Sequence, residues 1–173
     1  MIAAERKVRV EQVIVGVFRD AWGFGKRWWM VDDNDLDLLE LSFGGVEVSV
    51  LAQVRERLAA KLPDLGQDHR DAVLLLCTEL VTNVYEHAPG PFAVRLRHSR
   101  TPCRVWVEVR DTSREPPTVG SSVKGAFGGR GMVLVDKLAD AWGVDRTEDG
   151  KAVWVCVSCG ESETAIAHCN GEH

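Results

Sequence analysis

The sequence predicts a two-layer α/β sandwich in which a mixed, mostly antiparallel sheet packs on helices. Two helical segments come early, at 46–62 and 68–87, and short alternating segments gather later in the chain with one helix among them. Strands in one late block, with helices before and between them, are typical of this architecture. Hydrophobic residues make up 45% of the 173 residues, a composition sufficient for one buried core.

The early elements follow from apolar spacing and from residues that stop helices. Residues 38–43 predict a strand, which two glycines end. The helix predicted at 46–62 carries apolar residues at helical spacing and stops at a proline. These residues are Val50, Val54, Leu58 and Pro63. Residues 68–87 predict the longest helix, and the Pro-Gly-Pro sequence at 89–91 turns the chain after it.

The late block alternates apolar and polar residues with the period of a strand. Strands are predicted at 92–97 and 104–110, a helix at 131–141, and a final hairpin of strands at 142–146 and 152–157. Residues 112–129 are rich in Pro, Gly and Ser and predict a flexible lid before the last helix.

Three segments are predicted along the chain. They are an accessory N-terminal segment at 1–38, the sandwich domain at 39–158 and a loose C-terminal tail at 159–173. The accessory segment holds Trp22, Phe24, Trp28 and Trp29. The segment is predicted to cover the domain, to be a poorly ordered leader, or to be an aromatic arm that binds a partner.

Charge and hydropathy exclude several classes of protein. The net charge is −5, which argues against a general nucleic-acid binder. No segment is long and apolar enough to span a bilayer, and the short apolar run near the N-terminus lacks the features of a signal peptide. We therefore expect a cytoplasmic protein that contacts neither nucleic acid nor a membrane directly.

The chain contains five cysteines, an odd number for which free thiols are the expectation in that compartment. The pair Cys156-x-x-Cys159 has His168, Cys169 and His173 nearby, which raises a zinc hypothesis. Because the spacing matches no common structural zinc site, we favour a buried strand cysteine followed by a loose tail.

Three polar residues recur every fourth position in the longest helix. Glu79, Asn83 and His87 therefore share one face. A carboxylate, an amide and an imidazole along one stripe can place a proton acceptor, a metal ligand and a phosphate contact beside one ligand. Taken alone, the same stripe also fits an amphipathic helix that shows its polar face to water.

Two later segments add to this stripe. The strand predicted at 104–110 ends next to Asp111, at the start of a loop. Residues 128–131 form a glycine-rich loop that opens into an apolar helix. Glycines let the backbone approach a ligand closely, and a helix N-terminus offers unpaired N–H groups to phosphate.

In this order the three segments resemble the GHKL ATP-binding fold of gyrase, MutL and histidine kinases. The matching patterns are Glu-x-x-x-Asn-x-x-x-His at 79–87, Val-x-Asp-x-Ser-x-x-x-Pro at 109–117 and Gly-Arg-Gly-Met-x-Leu-Val at 129–135. The branch most similar is that of the small anti-sigma-factor serine kinases of Gram-positive bacteria, especially actinobacteria. Residues 138–144 and 150–154 strengthen that likeness, which covers roughly residues 39–157.

The resemblance implies that ATP and Mg²⁺ bind the helix stripe. Asn83 would give an oxygen to Mg²⁺, Glu79 would accept a proton from the attacking hydroxyl, and His87 would contact phosphate or the lid. The alternatives are that Glu79 only orients Asn83 or a water, and that His87 is an ordinary surface histidine.

The resemblance also implies which residues contact the adenine base and the phosphates. Asp111 would accept a hydrogen bond from the adenine amino group, which selects ATP over GTP. Ser113 belongs to the residues that follow this aspartate in the actinobacterial branch, and Pro117 would shape the nucleotide side of the lid. The N–H groups of Gly129, Arg130 and Gly131 would surround the phosphates. Met132 would close on the base or ribose.

One departure from the family pattern concerns the last hairpin. Relatives often carry a threonine after Gly-Lys that touches adenine, and this chain has Ala152. Losing one neutral hydrogen bond costs about 1 kcal/mol, roughly fivefold in affinity, so ATP binding should weaken and survive.

The resemblance implies a protein-serine kinase that phosphorylates a small STAS-type anti-anti-sigma protein and sequesters a sigma factor. The first alternative is a binding module, in which nucleotide organises the lid for docking without phosphoryl transfer. The second is a detached histidine-kinase ATP domain or general ATPase, which is less favoured because no dimerisation helix pair precedes the domain. Homodimerisation is left open.

Overall fold

The computed structural model describes residues 36–44, 48–88, 90–100, 102–117 and 130–159. Most of the predicted accessory segment, most of the predicted lid and nearly all of the predicted tail lie outside this part of the chain. In the described part, no helix is long and apolar enough to cross a membrane.

The described residues form five strands and three helices. In chain order they are β1 (Leu36–Phe43), α1 (Val48–Lys61), α2 (Gln67–His87), β2 (Phe92–Arg100), β3 (Cys103–Asp111), α3 (Arg130–Leu138), β4 (Ala141–Thr147) and β5 (Gly150–Ser158). The sheet has the order β1-β2-β3-β5-β4, and all its described pairings are antiparallel. The predicted α/β sandwich is confirmed, and these pairings make its sheet antiparallel rather than mixed.

The core lies between one face of the sheet and the helices. Because side chains alternate across a strand, every second residue of β3 and β5 points at the helices. These residues are Val105, Val107, Val109, Val153, Val155 and Val157, each no more than 5% exposed. Helix α2 supplies the facing layer with Val73, Leu76, Leu80, Val81 and Val84. The sheet therefore fixes α2 along its length.

The other face of the sheet is polar and half-buried. Glu108 is only 3% exposed there, and its carboxylate lies 2.6 Å from the Arg110 Nε and 3.9 Å from the Arg95 Nη1. Burial raises the pKa of Glu108, and the positive charge of Arg110 opposes that rise.

Helix α3 is shorter than the sequence predicts. It ends at Leu138 rather than at residue 141. The Ala139 N–H still bonds to the Val135 carbonyl in helical fashion, but the Asp140 N–H donates to the Cys156 carbonyl of β5 at 2.9 Å. Strand β5 thus binds the backbone directly after the helix, and β4 starts at Ala141.

Candidate functional site

The C-terminal ends of α2 and β3 meet at one end of the sandwich. After α2 ends at His87, Gly90 takes a φ of 90°, a left-handed conformation that glycine adopts without strain. The chain then enters β2 at Phe92, which lies opposite Asp111 in the sheet. The Thr112 hydroxyl donates to the Gly90 carbonyl at 3.4 Å. The predicted adenine-binding aspartate is therefore next to the end of the predicted phosphate-binding helix.

Asp111 is a buried carboxylate with one oxygen engaged in hydrogen bonds and the other without a hydrogen-bond partner in the described chain. Its Oδ1 accepts from the Lys151 Nζ at 2.9 Å and from the Ser113 N–H at 2.7 Å. Its Oδ2 is buried and has no hydrogen-bond partner among the residues that the structure describes. Leaving a buried acceptor unmet costs about 1–3 kcal/mol. A ligand amino group would satisfy this oxygen, which is the group that adenine offers.

Lys151 belongs to the candidate site through its contact with Asp111, and the sequence alone did not predict this role. It is 1% exposed and lies directly opposite Asp111 in the pairing of β3 and β5. The preceding Gly150 lets the strands approach, because a Cβ at this position would overlap the Asp111 carbonyl oxygen. The only local signal was the Gly-Lys dipeptide, which had served as a family marker. The ion pair itself depends on strand register.

The loop after Asp111 is tied to the turn between β4 and β5. The Ser113 Oγ accepts from the Glu115 N–H at 3.2 Å, and the Arg114 Nη2 donates to the Glu148 carbonyl at 3.0 Å. Pro117 is buried at the end of this described stretch. Its predicted role in shaping the lid stays a prediction, because residues 118–129 lie outside the described chain.

Glu79 and Asn83 are half-buried on α2, beside the helix face that packs on the core. The Glu79 carboxylate lies against Gly131, where an added Cβ would overlap its Oε2. The glycine therefore lets the first turn of α3 approach the carboxylate. Burial raises the pKa of Glu79, and the negative charge of Glu86 raises it further. The structure thus brings Glu79 and Gly131, two of the predicted site residues, into contact.

The remaining predicted site residues occupy different surroundings. His87 is exposed at the end of α2, with its Nε2 3.8 Å from the Glu86 carboxylate. Met132 is 3% exposed and belongs to the hydrophobic core. Gly129 and the side chain of Arg130 lie outside the described residues. The predicted contacts of these four residues with ATP stay predictions.

Ala152 is 2% exposed and pairs with Arg110 in the sheet. It follows Lys151 directly, so the departure from the family pattern lies one residue from the Asp111 ion pair. The predicted loss of one adenine contact at this position stays a prediction.

The side-chain oxygens at this end of the sandwich are of the kinds that a nucleotide and a divalent cation could use. The Asp111 Oδ2 suits an amino group, and the Asn83 amide offers the kind of oxygen that Mg²⁺ accepts from proteins. Among known families, the sequence profile of the histidine kinase-like ATPase domain matches residues 46–157, more than half of the 173-residue chain. A search of curated proteins found no match.

Proposed function

Because the chain belongs to the histidine kinase-like ATPase domain family, we propose that it is an ATP-dependent protein-serine kinase and anti-sigma factor. Its acceptor is a serine of a small STAS-type anti-anti-sigma protein, and its second partner is a sigma factor. The observation that carries this proposal is the half-buried Glu79 carboxylate held against Gly131 at the start of α3.

The buried aspartate supports recognition of ATP. The Asp111 Oδ2 accepts a hydrogen bond from the adenine amino group, while Lys151 and the Ser113 N–H hold the other oxygen in place. Guanine carries a carbonyl where adenine carries this amino group, so GTP would bring two acceptors together. Selectivity for ATP over GTP follows.

The helix stripe supports binding of the phosphates. Asn83 lies one turn after Glu79 on α2, about 6 Å along the helix axis. Its amide oxygen would hold Mg²⁺, and the bound cation would neutralise part of the phosphate charge. Phosphoryl transfer relies chiefly on such positioning and charge stabilisation.

Glu79 is the general base of the proposed reaction. Its carboxylate takes the proton of the acceptor serine hydroxyl as the serine oxygen bonds to the γ-phosphorus and the bond to the β-phosphate oxygen breaks. The products are phosphoserine and ADP. Because burial raises the Glu79 pKa, this carboxylate is a better proton acceptor than a fully hydrated one.

Ala152 favours a second function, that of a nucleotide-dependent binding module. A buried alanine replaces a threonine that touches adenine in relatives, so the nucleotide site is weaker than theirs. Such a module would sequester its partner when ATP orders the lid, and it would need no general base. Glu79 therefore separates the two functions.

The test is phosphate incorporation from γ-labelled ATP into a co-encoded STAS-type protein. Wild type should label a serine, and Glu79→Gln should reduce labelling by about 10²–10⁴-fold, the usual contribution of a general base. Mg–ATP affinity should be unchanged, since glutamine keeps the shape of the side chain. Glu56→Gln, an exposed glutamate on α1, is the matched control and should label like wild type.

Two results would reject the kinase proposal. The first is wild type that binds the STAS-type protein in an ATP-dependent way without labelling it, which supports the binding module. The second is Glu79→Gln that labels at the wild-type rate.

A further inference from the structure

A second cluster of polar side chains lies at the end of the sandwich away from Asp111. It consists of His69 in the first turn of α2, Cys103 at the start of β3 and Cys159 directly after β5. The ligand atoms of the three side chains lie within 4.8 Å of one another. The sequence hypothesis had paired Cys159 with Cys156, but in the described chain Cys159 joins His69 and Cys103 instead.

The His69 ring is oriented as a metal ligand requires. Its Nε2 lies 3.0 Å from the Val157 carbonyl oxygen. Because a carbonyl oxygen can only accept, Nε2 carries the hydrogen, and in the neutral ring Nδ1 then has a lone pair. This Nδ1 lies 3.7 Å from the Cys103 Sγ. Ligating histidines commonly donate their second N–H to a carbonyl in this way, which fixes the ring.

Backbone hydrogen bonds position the main chains of the two cysteines as well. The Cys159 N–H donates to the Cys103 carbonyl at 3.2 Å, and Cys103 pairs with Arg100 at the end of the β2–β3 ladder. His69 and Cys103 are buried, and Cys159 is half-buried. The cluster is therefore built on the first turn of a helix, the first residue of β3 and the residue that directly follows β5.

We propose that His69, Cys103 and Cys159 bind one Zn²⁺ through Nδ1 and the two sulfurs. Zinc bonds of about 2.0–2.3 Å in a tetrahedron place neighbouring ligand atoms roughly 3.5–3.8 Å apart, which the separation of the His69 Nδ1 and the Cys103 Sγ already matches. Two thiols lose their protons to solvent on binding, so the thiolates balance the charge of the cation. Water or another donor completes the tetrahedron.

The donor set selects the class of metal. Thiolate and imidazole ligands favour Zn²⁺ over Mg²⁺ and Ca²⁺, which take oxygen. The proposed zinc site is also separate from the proposed nucleotide site, because the ten residue steps along α2 from His69 to Glu79 span about 15 Å. Its role is to join the start of α2 to the near ends of β3 and β5. Zinc should therefore stabilise the fold without changing the affinity for ATP.

The test measures zinc in the reduced, full-length protein after loading with Zn²⁺ and gel filtration. Wild type should carry one zinc per chain by atomic emission. His69→Gln and Cys159→Ser should each lower zinc affinity by more than about 100-fold, since losing even a residue that only orients a ligand costs about 10–100-fold. Glutamine keeps a donor for the Val157 carbonyl, and Cys159 is half-buried, so both variants should fold.

Two further readouts separate a built site from loose binding. Cobalt in place of zinc should give a sulfur-to-cobalt charge-transfer band, which Cys159→Ser should roughly halve because one of two thiolates is lost. Removing zinc from wild type should lower Tm by roughly 5–10 °C, the effect expected when a ligand at about 100 times its Kd is withdrawn. Cys156→Ser, a buried thiol outside the cluster, is the matched control and should keep the zinc.

Several outcomes would overturn the proposal. A wild-type protein that carries no stoichiometric zinc would overturn it. So would His69→Gln and Cys159→Ser variants that bind zinc as tightly as wild type does. A disulfide between Cys103 and Cys159 that forms equally fast with and without zinc would also contradict it, because a bound metal holds both sulfurs.

Discussion

At the scale of single residues, the Asp111–Lys151 pair contributes both to the stability of the fold and to the proposed recognition of ATP. Both side chains are almost fully buried, and their charged atoms are 2.9 Å apart. Breaking such a pair by removing one partner is strongly destabilising, because an uncompensated charge stays buried. The pair holds one oxygen of Asp111, and the other is the oxygen proposed to contact adenine. Mutations at the two positions should therefore have different effects on the affinity for ATP.

A double-mutant cycle tests this division of roles. Lys151→Met should lower the free energy of unfolding by about 3 kcal/mol, measured by urea denaturation. The double variant with Asp111→Asn should lose less unfolding free energy than the two single variants lose together. The difference, which is the coupling energy of the pair, should be about 1–3 kcal/mol. The preference for ATP over GTP should disappear only in variants that carry Asp111→Asn. Strictly additive losses would refute the ion pair.

The partial burial of Glu79 lowers the stability of the folded protein when its carboxylate is charged. Because its pKa in the folded protein lies above its ordinary value of 4.5, the unfolded chain releases this proton at a lower pH. Between the two pKa values the folded state binds more protons, so stability falls as pH rises through that window. The charged carboxylate therefore destabilises the protein at neutral pH.

Glu79→Gln should accordingly raise Tm at pH 7, while the difference from wild type should vanish below the ordinary pKa of the glutamate. Thermal denaturation at both pH values measures this. Glu56→Gln serves again as the exposed control. A lower Tm for Glu79→Gln at pH 7 would show that the carboxylate stabilises the fold instead.

Some of these residues could be predicted from sequence and others could not. Glu79 and Asn83 share a face because the helix period is local information, and Asp111 is marked by the end of an alternating segment. Lys151 escaped prediction because its partner lies 40 residues away and only the register of β3 with β5 brings them together. The same holds for His69, whose neighbours come from two distant strands.

At the scale of elements, the contact between α2 and α3 positions the proposed base. Gly131 allows it, since any Cβ there would overlap the Glu79 carboxylate. The overlapping atom is the far end of a flexible side chain, so Glu79 can swing away while the helices keep their packing. A substitution at this glycine should thus displace the carboxylate without unfolding the protein.

Gly131→Ala should leave Tm nearly unchanged, because the added Cβ would meet only the movable end of the Glu79 side chain and alanine is the better helix former. Labelling of the STAS-type protein should fall by roughly 100-fold, the effect of misplacing a catalytic group by about 1 Å. Gly44→Ala is the matched control, since nothing lies within 4 Å of a Cβ at that position. Full labelling by Gly131→Ala would separate Glu79 from the reaction.

Apolar periodicity predicts all eight described elements, because each has one face on the core. The boundaries were less predictable where sheet hydrogen bonding decides them. Strand β2 continues to Arg100, past the predicted residue 97, because its ladder with β3 runs on to the pair Arg100 and Cys103. Helix α3 ends early because β5 captures the Asp140 N–H.

At the scale of the whole molecule, the sandwich places its two sites at opposite ends. Asp111 and the end of α2 form the proposed nucleotide end, and His69 with two cysteines forms the proposed zinc end. Both depend on β3, which begins at Cys103 and finishes at Asp111. At the nucleotide end, the Asp111 carboxylate is proposed to recognise adenine.

The most direct test is calorimetric titration of the wild-type protein with ATP and with GTP in the presence of Mg²⁺. ATP should bind more tightly by roughly 5–150-fold, the range expected for an unmet buried hydrogen-bonding group of about 1–3 kcal/mol. Asp111→Asn should remove most of this preference. Equal affinities of the wild type for ATP and GTP would contradict the assignment of Asp111 as the residue that recognises adenine.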